Sequence, residues 1–302
     1  MKREVSTFYE SEARLAFWML LPVFTVVMAF VIFPLAWNFW LSLTPVTLSD
    51  LRGESLFGFN WGLGNFKKVL NDPEFGSNVL ITLTYTILGS SLSVLLGLIA
   101  ALLVHGEFPG RSLLRGLFIS PYVAPVVAVT FTWAFILDPQ LGVLNWLGTE
   151  EGILSMPVPF LSQRPFALIC VILFEGWRYF PFAFLFILAR LQAVPDELYQ
   201  AAAVDGATPV QRFFHITLPQ LATVLATLFL FRFIWTINKF DDIFLLTRGQ
   251  AGTKVLTIKV YDYAFGEFDI GAGSAVAMVL FGILSVFLII YFWWTSRTAV
   301  AD

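Results

Sequence analysis

The sequence predicts an all-α integral membrane protein, with six transmembrane helices in one domain over residues 1–302 and a polar helical hairpin between the fourth and the fifth. Two observations predict it. Hydrophobic residues make up 58% of the 302 and charged residues 13%, with a mean hydropathy of +0.79, whereas soluble domains are about half apolar and about a quarter charged. The apolar residues also collect in six runs long enough to cross a hydrocarbon core about 30 Å thick at ~1.5 Å per helical residue. A spanning segment must satisfy its backbone internally, and the short alternating strands of a barrel are missing, so the runs read as helices.

Each element has its own signature. The first run, 16–43, is longer than the apolar core of a cleavable signal, about 7 to 15 residues, and no A-x-A site follows it, so it is expected to remain as an anchor. The second covers 79–104. The third, 116–137, contains Pro121 and Pro125, which should bend it. The fourth, 166–188, holds Cys170, whose solitude excludes an intrachain disulfide and makes it a buried small hydrophobe. The fifth, 222–246, is apolar at its start and polar from Arg232 onward. The sixth, 274–294, ends in Trp293 and Trp294, which read as an interfacial belt. The 33 phenylalanines exceed what any binding site could use and are mainly lipid-facing or packing side chains.

Charge excludes some partners and barely decides orientation. A net charge of −3 and the lack of a basic run leave no nucleic-acid footprint. With the N-terminus inside, the cytoplasmic side carries Lys2, Arg3, Arg14, Arg111, Arg115, Arg190, Arg212 and Arg297. The outside carries Arg52, Lys67, Lys68, Arg164, Arg248, Lys254 and Lys259. Eight against seven is a weak vote for both termini inside.

The hairpin, 195–219, is the polar exception in a hydrophobic chain. Asp196 is placed as an N-cap with Glu197 near the positive helix end, followed by an Ala-rich helix to Val204. Asp205, Gly206 and Ala207 form a turn in which Gly206 takes positive φ. Thr208 is a cap with Pro209 at the first position of a second short helix, running to about Thr217 before Pro219 opens the fifth span. Leu198, Ala201, Ala202 and Asp205 fall near one side, small enough for another protein to approach.

At these residues the chain resembles a family. Gln200-Ala201-Ala202, Asp205-Gly206-Ala207, Phe213, Ile216, Leu218 and Pro219 are similar to the EAA motif of permease subunits in binding-protein-dependent ABC importers. The resemblance implies that the loop is cytoplasmic, and that Glu197, Gln200, Ala201, Ala202, Asp205, Gly206, Ala207 and Phe213 form a coupling helix and its turn, seated against an ATPase dimer. The motif's leading glutamate is Gln200 here, so the family's charge contact would become a neutral hydrogen bond. Asn65-Phe66, Asp72-Pro73, Phe75, Gly110-Arg111, Pro121-Tyr122, Pro125, Trp133, Asp138-Pro139 and Gly142 to Asn145 resemble the carbohydrate-uptake group that includes maltose and trehalose importers. So do Phe240 to Ile243, Leu245 to Thr247, and Tyr261 with Asp269-Ile270-Gly271. The loop 44–78 is too short for the extra folded domain that some maltose permeases carry.

Such a resemblance implies a second related permease subunit, an extracytoplasmic substrate-binding protein, and a multi-pass location in a bacterial or archaeal plasma membrane. No G-x-x-x-x-G-K-[ST] is present and Gly249 to Lys254 fails its spacing, so no cofactor belongs to this chain, and ATP and Mg are expected on the partner ATPase. A disaccharide such as trehalose or maltose is the implied substrate class, with glycerol phosphate the alternative.

Ionisable groups within spans cost about 2.5–3.5 kcal/mol each on insertion scales, so they should face protein or water. Glu175 and Arg178 are three apart, share a face and can offset one another. Arg178 could donate to sugar hydroxyls, Trp177 or Tyr179 could stack on a pyranose, and Pro181 would interrupt the helix. A structural ion pair near the membrane surface fits the same residues. In the fifth span Trp235, Asn238, Asp241 and Asp242 suit a polyol, while Lys239, Asp241 and Asp242 equally suit the outer water boundary. Ser120, Tyr122 and Thr132 are weaker candidates. His105 and His215 have no partner at metal-ligand spacing. An intramembrane hydrolase lacks its H-E-x-x-H, G-x-S-x-G or G-x-G-D, and a passive channel has no need of the hairpin.

Overall fold

The structure, a computed structural model, describes residues 2–47, 49–50 and 61–298, with side chains from Leu15 to Arg297. Of the cations counted for orientation, Arg52 and the side chains of Lys2, Arg3 and Arg14 lie outside the described residues. Regular structure among the described residues is helical, apart from one isolated antiparallel bridge between Thr47 and Asp269. In order the helices are α1 Lys2–Val27, α2 Phe33–Ser42, α3 Gly64–Leu70, α4 Phe75–His105, α5 Arg111–Val123, α6 Val126–Ile136 and α7 Val143–Glu150. There follow α8 Phe166–Gln192, α9 Asp196–Val204, α10 Pro209–Arg212, α11 Leu218–Ile237, α12 Asp241–Thr247, α13 Leu256–Tyr261 and α14 Ile270–Thr298.

Among the described residues five stretches are long and apolar enough to cross a membrane: Leu15–Ser42, Phe75–His105, Phe166–Gln192, Pro209–Ile237 and Ile270–Arg297. The third predicted span, 116–137, is a bent pair. α5 and α6 meet at 96° around Ala124 and Pro125, where proline denies the preceding residue a helical conformation. The fifth span differs from expectation at both ends: the hairpin's second arm continues into α11, and the helix stops at Asn238, short of the predicted 246. Pro181 sits inside α8 without breaking it.

Two π-helical turns join helices, at Met28–Ile32 and Phe213–Thr217, and each ends one residue before an X-Pro step, Phe33-Pro34 and Leu218-Pro219. Proline has no N–H and its ring crowds the carbonyl four residues back, so a wider turn lets the helix pass through. A third π turn covers Asp262–Gly266.

The chain divides into two compact units. The first comprises Met1–Asp72 and Val260–Gly282. Within it the Asn65 amide donates to the carbonyls of Ser42 (3.1 Å) and Thr44 (2.7 Å), closing the end of α2. Lys68 pairs with Asp269 at 2.8 Å and Glu267 at 3.3 Å, and the hydrogen bond it donates to Asp269 holds its ammonium above the ordinary range. The Tyr263 hydroxyl donates to Asp72 (2.9 Å), and burial with that carboxylate pushes its phenol up. A Cβ on Gly271 would lie 2.5 Å from the Thr44 carbonyl, so the backbone approach there requires glycine.

The second unit comprises Pro73–Lys259 and Ile283–Asp302. Its frame is the crossing of α4 and α8, which approach through small residues. A Cβ on Gly97 would fall 2.6 Å from the Ala183 Cβ and 2.8 Å from the Phe184 nitrogen, and one on Gly89 would fall 2.8 Å from the Glu175 Cγ. Ala100, Ala101, Val104, Phe180, Ala183, Phe184, Ile187, Leu221 and Leu228 form the apolar core where α4, α8 and α11 meet. Outside the core, Asn145 bonds both backbone groups of Val158 (2.7 and 3.0 Å) and the Asp138 carbonyl (3.1 Å), which folds the 137–160 connection on itself.

Candidate functional site

The predicted membrane site begins with Glu175, about a third of the way along α8. Its pairing differs from the expectation: the partner is Arg232 on α11, not Arg178 one turn away. Tyr85 on α4 donates to the other carboxylate oxygen at 2.9 Å, Thr236 donates at 2.7 Å, and Arg232 also reaches Ser93 (3.2 Å). The reason is geometric. Glu175 faces the α4 crossing, where Gly89 leaves room for its methylenes, and α11 supplies the cation on the same buried side. The pair is fully enclosed among α4, α8 and α11.

Arg178 is committed elsewhere. Its guanidinium donates to the carbonyls of Pro121 (3.1 Å) and Ala124 (2.9 Å). In a continuous helix the Pro121 carbonyl would accept from residue 125, which is proline and has no N–H. Arg178 supplies the missing donor and so holds the bend between α5 and α6.

Tyr179 links the first cluster to a second. Its ring lies 4.4 Å from the Arg232 Cζ and 4.3 Å from the Lys239 Nζ, and its hydroxyl donates to Asp242 at 3.0 Å while accepting from Lys239. Lys239 also pairs with Asp242 at 3.4 Å and Asp241 at 3.6 Å. Asp242 is fully buried while the Asp241 side chain is about half exposed, so the network runs from the interior to the surface. Sequence reasoning missed Tyr85, Ser93 and the roles of Arg232 and Lys239, because their partners lie 57 to 139 residues away.

What stays accessible is aromatic. Tyr122 is 44% exposed and meets the Tyr179 ring edge-on at 6.2 Å; Trp235 is 43% exposed and packs on Phe182 at 5.0 Å. Asn238 is exposed beside them, its amide on the Ile234 carbonyl at 2.8 Å. Trp177 points away from this group, tilted on Trp133 at 5.4 Å and lining an apolar cavity with Cys170. Ser120 and Thr132 bond carbonyls of their own helices (both 2.8 Å). No cluster of metal-ligating side chains occurs among the described residues.

The hairpin folds by local rules. Pro195, not Asp196, occupies the N-cap of α9, and Asp196 opens the helix without capping it, since the fixed proline φ already starts the turn. At the other end Gly206 takes φ +82°, Ala207 N–H reaches Ala202 C=O (2.9 Å) and Gly206 N–H reaches Ala203 C=O (3.1 Å). This paired closure is the Schellman motif. Thr208 caps α10 reciprocally with Gln211, at 2.7 and 3.3 Å.

No residue of α9 is buried, and Glu197, Gln200 and Ala201 are exposed. Val204 is 88% exposed. Ala202, Asp205, Gly206 and Ala207 line a cleft of about 350 Å³ against Gln211 and His215. Phe213 starts the π turn, edge-on to Phe214 at 5.0 Å. The Tyr199 and Thr217 hydroxyls, 3.1 Å apart, tie the two arms, and Arg190 at the end of α8 holds Gln220 (2.8 Å). The predicted coupling residues are thus gathered on one exposed, internally braced hairpin.

Comparison with known proteins adds three findings. Residues 93–299 match the family described as the binding-protein-dependent transport system inner membrane component. A trehalose/maltose transport system permease protein of Thermococcus litoralis is 34% identical over 282 residues, 93% of each chain; a trehalose transport system permease protein of Mycobacterium tuberculosis is 31% identical over 282 residues, 93% of this chain and 88% of that one. In fold, the chain is similar to one from a crystal structure of a bacterial ABC transporter that imports the acidic polysaccharide alginate, with TM-score 0.80, 21% identity, and coverage of 96% and 99%.

Proposed function

Since the chain belongs to the family of binding-protein-dependent transport system inner membrane components, whose members are transporter subunits and not enzymes, we propose that it is the permease subunit of an ATP-driven sugar importer. It forms half of the translocation path as a single transmembrane domain, together with a second related permease, in a bacterial or archaeal plasma membrane with both termini cytoplasmic. An ATPase dimer carrying ATP and Mg seats on the exposed hairpin at Glu197, Gln200, Ala201, Ala202, Asp205, Gly206, Ala207 and Phe213. An extracytoplasmic binding protein delivers the substrate to the opposite face.

One observation carries the substrate class. Each cation in the candidate site is engaged: Arg178 by backbone carbonyls, Arg232 by Glu175, Lys239 by Asp241 and Asp242. What is exposed is Tyr122 and Trp235 with Asn238, and the half-buried Tyr179 ring lies behind Tyr122. Aromatic faces with few polar groups suit an uncharged sugar ring, whereas a phosphate needs a cation free to meet it. Glu175, Arg178, Asp241 and Asp242 therefore act as the rigid backing of the site, Trp177 packs behind it, and Tyr179, Trp235 and Asn238 meet a disaccharide such as trehalose or maltose.

Reconstituted vesicles test this. ATP-driven uptake of trehalose or maltose should require the ATPase and the binding protein. Uptake without them refutes the permease reading, and preferential uptake of glycerol 3-phosphate refutes the sugar.

A further inference from the structure

One face of α8 turns away from the candidate site. Phe166, Ile169, Cys170, Leu173 and Trp177 recur at the spacing of a single helical stripe, and with the end of α6 and Leu144 of α7 they line an apolar slot of about 490 Å³. The stripe runs from residue 166 to residue 177, roughly 16 Å at ~1.5 Å per residue, so the slot is elongated along the helix axis. Its walls are held in place. Phe160 meets Phe166 edge-on at 5.9 Å at one end, and Trp133 tilts on Trp177 at 5.4 Å at the other. Asn145, bonded to Val158 and to the Asp138 carbonyl, fixes α7 and the approach to Phe160 along the side. Between the two ends Ile169 and Leu173, each 47% exposed, leave the slot open sideways, whereas Cys170 and Leu137 are buried on its floor.

Shape and chemistry select the occupant. About 490 Å³ spread over roughly 16 Å leaves a cross-section of about 30 Å². A helix about 10–12 Å wide with its side chains needs about 80–110 Å², so no helix of a partner subunit enters. Water gains nothing from walls that offer it no polar partners. α8 is one of the stretches long and apolar enough to cross a membrane, so hydrocarbon stands at the lateral opening, and the long axis of the slot is the direction in which bilayer chains lie. An alkyl chain is as apolar as the leucines it would touch, so its gain is contact: an unfilled slot leaves the wall atoms without partners. The exposed Ser162, Gln163 and Arg164 precede the slot at the start of α8, level with a headgroup.

We propose that this slot is a binding site for one acyl chain of a bilayer phospholipid, held as a resident ligand against Leu137 and Cys170 with its headgroup beside Ser162, Gln163 and Arg164. Lipid that merely coats the protein touches every exposed apolar face alike. A chain in the slot also touches floor side chains that the bulk bilayer does not reach, since Cys170 is only 6% and Leu137 only 5% exposed.

The test uses the full transporter reconstituted in vesicles that contain a trace of phosphatidylethanolamine with a diazirine midway along one acyl chain. After irradiation the labelled residues are mapped by mass spectrometry. Label should concentrate at Leu137 and Cys170 and exceed that at Ile289 and Ile290, which are 68% and 58% exposed on α14. Cys170→Phe, which fills the slot, should lower the label at Leu137 about tenfold and leave α14 labelling unchanged. Ile169→Trp, at an exposed position that needs no core repacking, should do the same by covering the opening. Floor labelling no higher than that of α14, or unchanged in Ile169→Trp, overturns the proposal. So does a photoreactive residue in place of Leu173 that captures the second permease subunit instead of lipid. A floor labelled by a diazirine fatty acid but not by the phospholipid assigns the slot to a free chain and overturns it too.

Discussion

Glu175 and Arg232, 57 residues apart in the chain, form an ion pair whose side chains are 0% and 2% exposed. Breaking a buried pair strands a charge, which costs about 3–5 kcal/mol. Arg232→Met should therefore lower the thermal unfolding temperature in detergent sharply. Adding Glu175→Gln, which keeps an acceptor for Tyr85 and removes the orphaned charge, should recover a large part of the loss. Additive losses in the double variant would count against the pairing.

The bend between α5 and α6 predicts an unusual rescue. Arg178→Met leaves the Pro121 and Ala124 carbonyls without their donor and should destabilise the chain by about 1–3 kcal/mol. Pro125→Ala returns an N–H four residues after Pro121. The double variant should be more stable than Arg178→Met alone, with spin labels at Leu113 and Phe135 further apart as the 96° angle opens.

Gly206 is a backbone requirement, since a Cβ there would meet no atom within 4 Å while φ is +82°. Gly206→Val carries about 1–2 kcal/mol of left-handed strain and should abolish ATP-driven uptake with membrane insertion intact. Gly206→Asn, which tolerates that conformation, should keep much of the uptake. Normal uptake by the valine variant would refute a coupling role for the turn.

Gly97 makes the opposite prediction. Its Cβ would collide with Ala183 and Phe184, backbone included, so Gly97→Ala should cost about 1–3 kcal/mol by overpacking. Gly116→Ala, with nothing within 4 Å, serves as the matched control and should leave the unfolding temperature within a degree or two.

Asp138 accepts from the N–H groups of Gln140 and Leu141, both at 2.8 Å, and these bonds hold its carboxyl below the ordinary range. The lowered value means the contribution is complete above about pH 4, the ordinary carboxylate value, and fades as pH falls through the folded one. Amide exchange at Gln140 and Leu141 should accelerate in that acid window, and in Asp138→Ala at all pH.

Much of this architecture was legible in the chain. The apolar runs marked five continuous spans, Gly206 and Thr208-Pro209 fixed the hairpin's turn and second cap, and Pro121 and Pro125 flagged a bend. The angle was not legible, because it depends on Arg178 reaching across from another helix. Helical spacing paired Glu175 with Arg178, since it sees only neighbours on one helix. The true partners, Tyr85 and Arg232, are brought in by the α4–α8 crossing that Gly89 and Gly97 permit, and nothing local announces it.

The distance in sequence between Glu175 and its cation also constrains how the protein is made. The helix bearing the carboxylate is synthesised 57 residues before Arg232, roughly 3 to 11 seconds at ~5–20 residues per second. Tyr85 has by then emerged, so the first partner available to Glu175 is a neutral hydroxyl. The nascent chain must shelter that acidic group through the interval, and biogenesis of this protein is complete only when α11 arrives to neutralise what α8 brought into the bilayer.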